Sequence, residues 1–155
     1  MKAVRIHEHG GTDVLVWEEI SDPVIKPDQV LVQIKAAAIN HLDIWVRRGI
    51  PGISLPMILG SDAAGIIKKV GQDISGFTIG DEVVINPLIF CGECEACNNG
   101  RENECPFIGI FGESTDGTNC EFIAVNERNL RKNLTILILN LLHRFRLLGK
   151  QRIKC

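Results

Sequence analysis

Val30-Leu31-Val32-Gln33-Ile34-Lys35-Ala36 alternates, with Val30, Val32, Ile34 and Ala36 on one side and Gln33 and Lys35 on the other. A period of two marks a strand that buries one face. Further β-type runs are Ala63–Val70, Glu82–Ile85 and Cys120–Val125, with Gly60, Gly71 and Gly80 as punctuation. Nearer the N-terminus, Lys2–His7 and Val14–Glu18 read as the arms of a hairpin around Gly10-Gly11. The period changes once, over His41–Arg48, where Leu42, Trp45 and Val46 share the face of a predicted helix. Many short strands cut by Gly and Pro predict a mainly β domain, a barrel or a sandwich. No Gly-x-Gly-x-x-Gly loop follows any of these strands.

Composition splits the chain in two. Residues 1–130 hold 10 Lys/Arg against 19 Asp/Glu, whereas residues 131–155 hold 7 Lys/Arg and no acid. All six Pro and 14 of the 15 Gly also precede residue 131. A 155-residue chain has room for one domain plus an appendage. Its 45% hydrophobic content excludes a disordered chain, and a net charge of −2 argues against a nucleic-acid binder. Leu134–Leu148 is apolar but short, and His143, Arg144 and Arg146 interrupt it, so no membrane span is expected. Charged residues enter at Lys2 and Arg5, unlike a secretory leader, and the expected location is cytoplasmic.

Cys91, Cys94, Cys97 and Cys105 form C-x2-C-x2-C-x7-C. Four thiolates on short turns suit one structural zinc, because they close a tetrahedral shell and leave no position for water or substrate. An iron–sulfur cluster and free thiols are the alternatives. Cys120 and Cys155 read as buried or free thiols outside that set.

With this lobe in place, residues 1–130 resemble the N-terminal GroES-like catalytic domain of the medium-chain zinc-containing alcohol dehydrogenase and quinone oxidoreductase family. Four segments carry the resemblance: Ala36–Asp43, Pro56–Gly71, Phe77–Val83 and the cysteine lobe, residues 91–105. The resemblance implies a partly open β-barrel with a zinc lobe. It also implies NAD(P) for the full-length family, held by a Rossmann domain that this sequence does not contain. Where the family's alcohol dehydrogenases place a Cys, a His and a Glu at the catalytic zinc, this chain has Asn40, Ser61 and Asp62. Asn and Ser are poor zinc donors. The pattern is similar to the quinone oxidoreductase branch, which lacks catalytic zinc, although that branch usually lacks the cysteine lobe too. Asn40, Asp43, Ser61 and Asp62 are therefore the candidate substrate-cleft residues, and His41 the candidate cofactor contact. Bland readings stand beside these: Asp43 as a helix cap, Ser61-Asp62 as an ordinary turn, His41 as a surface residue.

The resemblance stops at Asn129-Leu130. A one-base shift of permissible codons turns residues 133–148 into K-P-D-N-L-D-F followed by K-S-A-A-S-I-P-L-T, which resembles the family's continuation. Residues 131–155 are accordingly read as a frameshifted, non-family tail; a genuine amphipathic segment is the alternative. The expected function is the catalytic domain of an oxidoreductase acting on an alcohol, aldehyde or quinone-like small molecule, inactive as this chain alone. The competing classes are a zinc-stabilised binding module and a GroES-like co-chaperone without catalysis. Neither nucleic acid nor membrane is an expected partner, and the sequence sets no oligomeric state.

Overall fold

The computed structural model describes residues 1–132; the expectations for residues 133–155 lie outside the described residues. Along the chain run β1 (Lys2–Ile6), β2 (Val16–Glu19), β3 (Gln29–Ala38), α1 (His41–Arg48), β4 (Met57–Ile58), β5 (Asp62–Val70), β6 (Glu82–Ile85), β7 (Leu88–Ile89), α2 (Glu95–Asn98), β8 (Gly109–Ile110), β9 (Phe122–Asn126) and β10 (Leu130–Lys132). A five-stranded antiparallel sheet has the order β10-β6-β5-β3-β9, and a three-stranded sheet has β2-β1-β4. The segment before β9 joins the two sheets. Val4 N–H donates to the Asn119 carbonyl at 2.8 Å, and Glu121 N–H donates to that of Lys2 at 3.0 Å. The result is the mainly β, GroES-like, partly open barrel. β7 and β8 pair beside the excursion that carries the cysteines.

Two apolar clusters hold this frame. Val30, Val32, Ile67, Val83, Ile85, Ile123 and Val125 pack under the larger sheet. Ile6, Val46, Met57 and Leu59 lock α1 against the smaller one. Such side chains contribute about 1.5–3 kcal/mol each on full burial.

The alternation expected in β3 is broken. Val30, Leu31 and Val32 are all buried, so both faces are covered there, and register shifts occur at Leu31/Val32 and Ile34/Ala36. The second shift leaves Lys35 exposed outside the ladder. β-Bulges re-phase a strand in this way. α1 spans the predicted residues but turns a different side inward. Asp43, Val46 and Arg47 are buried, whereas Trp45 is 54% exposed. At about 100° per residue, Trp45 lies on the far side of the axis from Asp43 and Arg47. In place of the expected core contact, its ring packs edge-on to His41 at 4.8 Å. The predicted hairpin arm at Val14 is a 3-10 turn, Thr12–Val14, that buries only Val14, and β2 starts only at Val16. β10 continues to Lys132, two residues past the point where the sequence resemblance fades, and pairs with β6.

Candidate functional site

β3 ends and α1 begins at Asn40, an extended residue before a helical run, where Asn is favoured as a cap. Asn40 Oδ1 accepts the Leu42 N–H at 3.2 Å, while Asp43 Oδ2 accepts the Asn40 N–H at 2.8 Å. This is a reciprocal capping box, so the bland reading of Asp43 as a cap holds. The carboxylate does more, however. Its Oδ1 accepts the Gly60 N–H at 3.0 Å, and Asn40 Nδ2 donates to Asp62 Oδ2 at 3.1 Å. Two side chains thus tie the β3–α1 corner to the start of β5. Ser61, between the two tied residues, is 2% exposed.

The turn before β5 is fixed from behind as well. Gly60 has φ +100°, and a Cβ there would lie 2.7 Å from Asn119 Oδ1 and 2.8 Å from Thr118 Oγ1. Only glycine suits both the left-handed backbone and the close approach. Burial pushes the Asp43 carboxyl above its ordinary range, against the pull of the Asn40 and Gly60 N–H donors. A carboxylate with both oxygens occupied by main-chain donors is a positioning group.

Beside Asp62 lies a hollow of about 430 Å³ lined by Ala36, Ala38, Ala64, Val84, Pro87 and Arg131, among others. Strand register explains its floor: Ala36 pairs with Ala64, Ala64 with Val84, and Val84 with Arg131, so the four share one face. Small residues keep that face low. A larger groove of about 650 Å³ runs past Leu15, Trp17, Ile39 and Ile44; of its charged groups Asp43 and Arg47 are committed elsewhere, and Glu121 Oε2 accepts the Lys2 N–H at 2.7 Å. Both Asp43 oxygens are taken, and Arg47 Nη1 donates to the Gly10 carbonyl at 2.6 Å. His41 is exposed against Trp45 and lines neither hollow nor groove.

The cysteine lobe is a second centre. The four Sγ atoms of Cys91, Cys94, Cys97 and Cys105 lie within 4.8 Å of one another. Individual separations are 3.4 Å (Cys94–Cys97), 3.6 Å (Cys91–Cys105) and 3.9 Å (Cys91–Cys97). Ligands about 2.3 Å from one tetrahedral ion would be about 3.8 Å apart, so the donor set fits a single zinc. It is too compact to enclose several irons. Main-chain N–H groups of Glu93 and Cys94 draw the Cys91 thiol down to about 6, while burial and adjoining sulfurs push Cys97 up to about 12. Crowded sulfurs cannot all ionise without a cation among them. Asn40, Ser61 and Asp62 offer no comparable set. The Asn40 amide is used at both ends, leaving one carboxylate as the single strong donor.

Sequence reasoning did not single out the alanine floor, Asn86, Arg128 or Arg131. Strand register alone brings the floor together. Cys120 is half-buried, with its thiol pushed up to about 12 mainly by burial, which fits an inert thiol.

Comparison with known proteins places these features. The family described as alcohol dehydrogenase GroES-like domain matches residues 26–134. The alcohol dehydrogenase of Schizosaccharomyces pombe is 35% identical over 130 residues, covering 80% of this chain and 36% of that protein. An L-threonine 3-dehydrogenase of Caldanaerobacter subterraneus is 32% identical, covering 89% of this chain and 41% of its own. The crystal structure of an NAD-dependent alcohol dehydrogenase superposes with a TM-score of 0.82 at 45% identity, over 85% of this chain and 39% of that one. The chain spans about two fifths of the length of the relatives it matches. Barrel, cysteine lobe and family match agree, and the chain belongs to the alcohol dehydrogenase GroES-like domain family.

Proposed function

We propose that this chain forms the substrate side of an NAD(P)-dependent oxidoreductase that works without a catalytic zinc. The substrate is a small alcohol, aldehyde or quinone-like molecule. The observation that carries this reading is the Asn40–Asp62 hydrogen bond at 3.1 Å, at the rim of the alanine-floored hollow. It joins two segments of the family pattern while consuming the amide that stands where a thiolate ligand would be. When bound, the nicotinamide supplies or takes the hydride. This chain's residues have simpler tasks. Ala36, Ala64 and Val84 leave space for an apolar substrate body, and the Asp62 carboxylate presents a proton acceptor to a substrate hydroxyl. Asp43 holds Asn40 and Gly60 in register, and Ser61 is carried between them. His41 is a surface contact for cofactor phosphate in this reading. One zinc on Cys91, Cys94, Cys97 and Cys105 secures the lobe and takes no part in the reaction. A cytoplasmic location accords with four reduced thiols.

The test is a chimera in which residues 1–132 replace the matching part of the Schizosaccharomyces pombe relative. Turnover of aldehydes or quinones with NADH or NADPH, with no metal beyond one zinc per chain, is the expected result. Activity that appears only after a second zinc is bound would end the zinc-free reading. The 155-residue chain by itself should show no saturable NADH or NADPH binding by calorimetry, because its sequence carries no Gly-x-Gly-x-x-Gly run to hold the dinucleotide pyrophosphate. Micromolar binding would contradict the assignment of this chain to the substrate side.

A further inference from the structure

A zinc ion held by four thiolates carries two net negative charges. The lobe around it adds Glu93, Glu95, Glu102 and Glu104 and contributes one cation, Arg101. Arg101 is committed to Glu104 at 3.3 Å, with both side chains about half exposed. The lobe's own residues therefore leave the metal centre uncompensated. A second guanidinium reaches it from outside. Arg128 lies in the 3-10 turn Glu127–Asn129 between β9 and β10, and its Nη1 donates to the carbonyl oxygen of Cys91. It lies against Gly92, whose φ of +78° and missing Cβ leave the space that the guanidinium fills.

We propose that Arg128 is the counter-cation of the zinc–tetrathiolate centre and the latch that ties it to the barrel. The turn itself does not depend on this contact. Glu127 Oε1 accepts the Gly76 N–H at 2.8 Å, and Asn129 Nδ2 donates to the carbonyls of Asn86 at 3.0 Å and Leu88 at 2.6 Å. Removing the Arg128 side chain thus takes away a charge and one hydrogen bond while its neighbours keep the backbone in place. A guanidinium suits the position because it can donate to the carbonyl of a ligand residue while bringing a delocalised positive charge next to the Cys91–Gly92 backbone of the lobe. Groups that orient and compensate metal ligands typically alter metal affinity about 10- to 100-fold when removed.

The proposal rests on the zinc reading of the lobe and is independent of hydride transfer. The experiment loads the 155-residue chain and its Arg128→Gln and Arg128→Lys variants with zinc, then follows zinc release to excess chelator with a colorimetric indicator. Circular dichroism checks the fold of each. Arg128→Gln should lose zinc about 10-fold faster or more, and Arg128→Lys should recover most of the difference. Raising the salt from 0.05 to about 1 M, which shortens the screening length to about 3 Å, should speed release from the parent chain but leave Arg128→Gln unchanged. Equal rates for parent and Arg128→Gln would overturn the proposal. So would an Arg128→Lys variant as leaky as Arg128→Gln with the parent insensitive to salt, which would reduce Arg128 to a geometric prop. A parent chain that binds no zinc at all would overturn the lobe reading beneath it.

Discussion

Asp43 shows how one residue serves two segments. Replacing it with Ala leaves the Asn40 and Gly60 N–H groups without an acceptor, of which Gly60's is buried. An unsatisfied buried donor costs about 1–3 kcal/mol, so urea unfolding of Asp43→Ala should show a loss of about 2–3 kcal/mol. A loss below about 0.5 kcal/mol would mean the carboxylate is dispensable there. The sequence offered Asp43 as a cap of this helix but not its reciprocal partner Asn40, nor the bond to Gly60, because no local pattern announces a contact seventeen residues away. Cysteines can be told apart chemically at this scale. With zinc bound, iodoacetamide near neutral pH should spare Cys120, whose buried thiol stays protonated, and the four lobe cysteines. Peptide mapping after zinc removal should find the lobe alkylated and Cys120 still spared; labelling of Cys120 at the same rate as the lobe would contradict its burial.

At the level of elements, the strands and α1 were readable because each has its own period, and errors came where a neighbour overrides it. Covering β3 on both sides made Leu31 a core residue, which alternation alone assigns to the outer face. The placement of Asp43 and Arg47 inside α1's contact surface rotated Trp45 outward. Strands of two or three residues, such as β4, β7, β8 and β10, are too short to leave a period at all. Val46 is the point where α1 is fastened, fully buried beside Ile6 and Met57. Val46→Ala should destabilise the domain by about 2 kcal/mol, within the range for trimming buried aliphatic groups, whereas Trp45→Ala should stay within about 0.5 kcal/mol, as exposed positions do. Comparable denaturation midpoints for the two would show that the helix is not held by Val46.

For the whole molecule, the acid limb of the stability profile has two opposed contributions. Asp81 is held below the usual carboxylate range by the Lys132 ammonium at 2.8 Å and by the Thr78 N–H. Its contribution is present above about pH 4, the unfolded value, and is lost as pH falls through the lower folded value. Asp43 runs the other way. Burial raises its folded value, so its contribution is full below about pH 4 and declines as pH rises through that raised value. Urea midpoints between pH 2 and 7 should therefore fall less steeply on the acid side for Asp81→Asn than for the parent, and more steeply for Asp43→Asn; identical slopes would refute the assignment. The family, the barrel and the cysteine lobe were legible because motifs carry them, while the hollow was not, since four strands must first come into register to make it. That same pairing has a temporal side. Lys2 in the first strand meets Glu121 just before the ninth, a separation of 119 residues. A chain made from its N-terminal side first can pair β1 with β2 and then β4 early, but must leave the Lys2–Val4 stretch of β1's other edge open until nearly the whole described domain has been synthesised. Closing so long a loop is slow and exposes that edge meanwhile, which makes the Lys2–Val4 stretch the place where a chaperone would be needed longest.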